Sequence, residues 1–209
     1  MASEIRIVLR NGLEVHDPLT IVFDFVDAGY AYDRSTAAAP SIFAEADLRL
    51  ANRGGARISA AEIAAILARR RAIERALRTI PFDASLTVRS VPWPALRELF
   101  DAFAELRGVG FAKMTKALHK KRPALIPMLD SVVQHYLADD DPGAHAPFGE
   151  RALELVRGYK RDLDLNRAAM RTVRRELAKR DYTLTEVRIL DVLIWSAAVD
   201  FTPARSSSS

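Results

Sequence analysis

Two glycines, two lysines and one aspartate near the middle of the chain have the types and spacing to engage a phosphate polymer. The run Leu106-Arg107-Gly108-Val109-Gly110 lies between two segments of helical periodicity, and Lys113 and Lys116 follow it. Glycine permits positive φ and lets another molecule's backbone come close. The helix that starts after such a turn presents unpaired N–H groups and the positive end of its dipole. A turn of this kind can hold one phosphate of a duplex without reading its sequence. Lys113 and Lys116, three positions apart, share a helix face beside it. The same pattern also serves as a plain helix C-cap followed by lysines on a solvated face, so the turn alone does not decide between them. The segment Arg122-Pro-Ala-Leu-Ile-Pro-Met-Leu-Asp130 then brings a lone acid after an apolar run. Followed by Ser131-Val-Val-Gln134, Asp130 reads as the N-cap of the next helix.

The elements that must position these residues are helical. Glu4 to His16 alternates apolar and polar residues, as a short strand or extended arm would. Leu19, Val22, Phe23, Val26 and Tyr30 recur at helical spacing, and a second pattern runs from Ser41 to Leu50 before Gly54-Gly55. Ser59-Ala-Ala-Glu62 has the form of a capping box, predicting one long helix behind it that stops before Pro81. Pro92-Trp-Pro94 precedes a helix whose face is Leu96, Leu99, Phe100, Phe103 and Leu106. Further helices are expected at about Phe111–Lys120, after Asp130, and at about 148–164 and 166–180. A last one is expected from a Thr183–Glu186 capping box to Val199, apolar nearly all round and therefore buried. The expectation is an all-α fold of about ten helices with little or no sheet, as one domain over 1–205. Its parts are an N-terminal lobe of about 1–90, a hairpin region of about 94–138 and C-terminal helices over 148–199, with 206–209 a disordered tail.

Composition narrows the chemistry. At 209 residues the chain can bury a substantial core, and 49% hydrophobic with 28% charged residues is a globular balance. The absence of cysteine removes thiol nucleophiles, disulfides and cysteine-held metal clusters, and His16, His119, His135 and His145 show no ligand spacing. No metal or other cofactor is expected. The N-terminus lacks the apolar core of a signal peptide, and no stretch approaches the roughly 20 apolar residues that span a bilayer. The expected setting is cytoplasmic, without a membrane partner. A net charge of +4 suits a polyanion without requiring one, and the basic excess gathers in residues 101–122 and 148–180.

The segment from Leu106 to Leu118, Leu-Arg-Gly-Val-Gly-Phe-Ala-Lys-Met-Thr-Lys-Ala-Leu, resembles the hairpin of the helix-hairpin-helix DNA glycosylase superfamily. That hairpin is a Leu-Pro-Gly-Val-Gly turn followed by a helix. In the superfamily an essential aspartate lies eighteen positions beyond the site where bifunctional members keep a catalytic lysine. Counted from Ala112, eighteen positions reach Asp130. The chain is also similar to bacterial relatives in which Lys-Arg-Pro-x-Leu-Ile-Pro leads into the same aspartate. The similarity covers about residues 96–137, a fifth of the chain.

The resemblance implies a glycosylase-like helical bundle that binds double-stranded DNA through backbone contacts at Gly108, Gly110, Lys113 and Lys116. It implies Asp130 as the catalytic carboxylate, stabilising the charge that develops on the sugar and orienting the attacking water. A flipped base needs an aromatic or apolar pocket, for which Tyr30, Tyr32, Trp93 and Phe111 are candidates that serve equally well as core. Ala112 removes the amine a lyase needs to form an imine. Lys113 lies about 100° further round the helix, and Arg107 replaces the usual proline. No cysteines exist for an iron–sulfur cluster. What the resemblance leaves is monofunctional base excision on damaged or modified bases. Two other readings stand beside it: a non-catalytic DNA-binding module of the same hairpin type, and a helical protein-interaction component. Arg167, Arg171, Arg174 and Arg175 lie along one helix face, where they could follow phosphates or form a solvated face partly paired with Asp164 and Glu176.

Overall fold

The computed structural model of the protein describes residues 5–35 and 39–200. Among these, helices dominate. The alternating N-terminal segment is a ribbon: β1 (Ile7–Val8) pairs antiparallel with β2 (Glu14–Val15) around a 3-10 turn at Arg10–Gly12. The helices that follow are α1 (Pro18–Asp27), α2 (Ala31–Arg34), α3 (Glu45–Arg53), α4 (Ala60–Ala68), α5 (Arg70–Thr79) and α6 (Trp93–Asp101). They continue as α7 (Phe111–His119), α8 (Ser131–Tyr136), α9 (Phe148–Leu165), α10 (Arg167–Ala178) and α11 (Glu186–Asp200). The serine tail expected at 206–209 lies outside the described residues.

Most boundaries follow the local signals. Ser59 and Glu62 close a reciprocal capping box on α4, with Glu62 Oε2 accepting from Ser59 N at 2.8 Å. The single long helix expected behind it is instead two, broken at Arg69, where φ is −91° and ψ 2°. The break lets α4 lie against α3 while α5 turns to pack on α6. At α11 the cap is Thr185 rather than Thr183: Thr185 Oγ1 accepts from Arg188 N at 3.1 Å and donates to the Pro123 carbonyl at 2.9 Å. As its apolar circumference demands, α11 is buried from Glu186 through Ile194, Arg188 excepted, with Trp195 half exposed.

The core centres on α6, α9 and α11. Leu96, Leu99 and Phe100 of α6 and Ala152, Val156 and Tyr159 of α9 are without solvent exposure. Burial of this apolar surface supplies the dominant favourable free energy.

The segment joining α7 to α8 is held differently, by polar groups. Lys121 is fully buried and meets Asp47 at 2.7 Å, while the other Asp47 oxygen accepts from Ala44 N at the start of α3. Arg122 is also buried, and its partners are carbonyl oxygens. Nη2 donates to Leu77 at 2.6 Å and Ile80 at 2.8 Å, Nε to Ile80 at 3.2 Å, and Nη1 to Pro40 at 2.9 Å and Lys121 at 2.7 Å. Leu77 and the C-cap Ile80 lie at the end of α5, where the dipole favours a cation and carbonyls lack full helical pairing, the Leu77 carbonyl accepting only a long bond of 3.4 Å from Ile80 N. Arg122 thus closes one helix and anchors the strand of chain that leads to Asp130. Arg122→Ala should therefore leave several buried carbonyls unpaired and lower stability by about 3 kcal/mol or more, read as a shift in the urea unfolding midpoint. A loss below about 1 kcal/mol would mean the cage is incidental.

Candidate functional site

Asp130 caps α8 with one oxygen and leaves the other for other work. Oδ1 accepts from Val132 N and Val133 N, both at 3.1 Å, while Oδ2 lies 3.9 Å from Lys116 Nζ on α7. The backbone on either side is strapped down. His119 Nδ1 donates to the Ile126 carbonyl at 2.6 Å, and burial pushes that ring's pKa down to about 4, so it stays neutral. Thr115 Oγ1 accepts from Leu129 N at 2.9 Å, and Gln134 Nε2 donates to the Leu129 carbonyl at 2.8 Å. The carboxylate is placed by its fixed neighbours, as a site group must be.

Asp130 opens onto a cleft of about 330 Å³, also lined by Lys116, Tyr30 and Tyr32. That volume is within the range of about 300–1,000 Å³ usual for small-ligand sites. Tyr30 stacks on Phe25 with ring centres 4.8 Å apart and planes 16° from parallel. Tyr30 and Trp195 are each about half exposed at the cleft. Tyr32 is buried, and its hydroxyl donates to the Lys116 carbonyl at 2.8 Å, fixing α2 to α7. Of the four aromatic candidates, the structure brings Tyr30 and Tyr32 together with Asp130. Trp93 instead lies under Arg157, and Phe111 packs on Phe148.

The glycine turn stands apart from the cleft. Gly108 adopts φ +79°, a conformation that favours glycine, and a Cβ there would collide with the Glu62 carboxylate. Glu62 Oε1 also accepts from Lys113 Nζ at 2.6 Å, which holds its carboxyl below the usual carboxylate range. Lys113 is therefore paired with an acid, whereas Lys116, one turn beyond Ala112 on the same helix, reaches the cleft. A Cβ on Gly110 would meet open space. On α10, Arg167 pairs with Asp164 and Arg174 with Glu186, while Glu176 pairs with Lys179.

Two charged residues on α11 join Trp195 in lining the cleft, and none of the three was singled out from the sequence as a site residue. Asp191 is buried, with Oδ2 accepting from Met128 N at 3.3 Å and Oδ1 lacking a hydrogen-bond partner. Arg188 holds Asp33 through two hydrogen bonds, Nε at 3.0 Å and Nη2 at 2.8 Å, and lies over the Phe25 ring. The available signal was a lone acid inside the run Ile189-Leu-Asp-Val-Leu-Ile194, since a charge in a buried helix needs a reason. Among the described residues, no group of three or more His, Asp and Glu side chains could hold a metal ion.

Burial pushes the Asp191 carboxyl up to about 7, against the nearby Arg188 charge and the Met128 N–H. The folded chain therefore keeps a proton that the unfolded chain releases from about pH 4 upward, so this group removes stability as pH rises toward 7. Asp191→Asn, which carries no charge at any pH, should raise Tm relative to the parent at pH 8 and do so less at pH 4. An equal difference at both pH values, by scanning calorimetry, would refute the assignment.

The model of a family of unknown function, DUF6308, matches residues 28–198. That span takes in Tyr30, Lys116, Asp130, Asp191 and Trp195 and begins after Phe25. Searches of curated proteins and of solved structures each gave no match. Matched over most of its length, with nearly all of the cleft inside the matched span, the chain belongs to the DUF6308 family.

Proposed function

We propose that the protein is a monofunctional DNA N-glycoside hydrolase that takes one base, flipped from a duplex, into the cleft. The observation that carries this reading is the divided use of Asp130. One oxygen is held by helix N–H groups, and the other faces Lys116 in a cavity walled by flat rings. In the reaction the bond from C1′ to the base nitrogen breaks, its electron pair leaves with the base, and positive charge develops on the sugar. A fixed carboxylate stabilises that charge and accepts a proton from the water that adds to C1′, while the departing base gains a proton. Half-exposed Tyr30 and Trp195 are suited to stack on an extruded base. The spacing from Ala112 to Asp130, shared with the glycosylase superfamily that the hairpin resembles, supports the same reading.

Asparagine caps helices as well as aspartate does, so Asp130→Asn should fold normally. Incubated with duplexes carrying a panel of damaged or modified bases, the parent should release free base. Asp130→Asn should lower that release at least 100-fold, within the range typical of a lost acid–base group, while retaining duplex binding. Binding without release from any lesion would overturn hydrolysis and leave a DNA-binding module. Failure to bind DNA would favour a helical interaction protein.

A further inference from the structure

We propose that Asp191 and Arg188 form a paired reader at the cleft that selects bases with a lactam edge, a ring N–H beside a ring carbonyl. This rests on the cleft being a base pocket. Asp191 lines the cleft, and its Oδ1 has no hydrogen-bond partner and almost no solvent exposure, so a base reaches it by displacing the side chains that cover it. An unpaired buried carboxylate oxygen is costly, and a ligand N–H would satisfy it. The Tyr159 hydroxyl lies against this carboxyl, but its one proton goes to the Val187 carbonyl at 2.5 Å.

Arg188 supplies the matching donor. Its Nε and Nη2 are committed to Asp33, which leaves Nη1 facing the Met128 sulfur at 3.6 Å and Asp191 Oδ2 at 4.0 Å. A thioether is a weak acceptor, so Nη1 retains donor capacity. Nη1 and the Asp191 carboxyl are neighbours, 4.0 Å apart at Oδ2, so acceptor and donor can meet one ligand edge, the complement of –NH–C(=O)–. Uracil-, guanine- and hypoxanthine-type rings carry that edge. Cytosine and adenine present a bare ring nitrogen and an amino group at the equivalent positions. These would set lone pair against carboxylate and N–H against guanidinium. The Phe25–Tyr30 stack and Trp195 favour a flat ring in either case, so selection falls to the polar pair.

NMR titration of the parent protein at pH 8, where the Asp191 carboxyl is ionised and accepts only, with deoxyuridine, deoxyinosine, deoxycytidine, deoxyadenosine and 3-methyldeoxyuridine tests this directly. Deoxyuridine and deoxyinosine should bind at least 10-fold more tightly than the other three, a difference of about 1.4 kcal/mol. Asp191→Asn should abolish the preference, and the 3-methyl comparison needs no variant to fold. Equal affinities, or no binding of any nucleoside, would overturn the reader. Parallel duplex assays separate this from the reaction itself. Release of bases regardless of their edge would overturn the reader and leave the hydrolase standing. Lactam-selective nucleoside binding by a protein that releases no base from DNA would support the reader and overturn the hydrolase.

Discussion

The structure depends on a buried arginine whose charge is answered by carbonyls. Arg122 gathers oxygens from the end of α5, from Pro40 and from its own neighbour Lys121, so three stretches of chain meet on one guanidinium. Its planar fork of five donors suits this role, since each N–H can find an oxygen without an acid being buried alongside. Next to it, Lys121 does carry an acid into the interior, and Asp47 passes the constraint on to the start of α3. The eight residues from Arg122 to Leu129 therefore leave a fixed origin and arrive at Asp130 in a fixed place.

Acids in this protein recur with divided duties. Asp47 bridges a lysine and a helix start, Glu62 bridges a capping box and a lysine, and Asp130 divides between a helix start and the cleft. Asp191 differs, because its second oxygen lacks a hydrogen-bond partner, whereas the Asp140 oxygen without one is paired with the Arg10 guanidinium. That contrast separates the acids that explain the fold from those that leave chemistry over. Asp130 and Asp191 meet at the cleft, where α7, α8 and α11 converge around the aromatic rings.

What could be read from the sequence was local. The hairpin turn, the Asp130 cap and the buried character of α11 follow from glycine conformation, capping chemistry and apolar periodicity, each decided within a few residues. The pairing of Lys113 with Glu62 spans fifty-one positions, and that of Met128 with Asp191 sixty-three, so no local pattern announces them. The long helix expected behind Ser59 divides at Arg69 because its two halves pack on different partners, a tertiary demand that overrides a continuous helical pattern. The aromatic candidates divided for the same reason: Tyr30 and Tyr32 are carried to the cleft, while Trp93 and Phe111 are taken up elsewhere.

The Glu62 carboxylate over Gly108 makes the hairpin carry its own counter-ion. A duplex phosphate arriving there would exchange one anion for another at Lys113 instead of stripping a lysine of bulk solvent. Each phosphate contact made by a free cation releases a condensed ion and steepens the salt dependence of binding by about 0.9 in log–log slope. An exchange at Lys113 adds little to that slope. In the proposed DNA complex, ionic-strength sensitivity would then come from exposed cations other than Lys113, such as Arg53, Arg57 and Arg107.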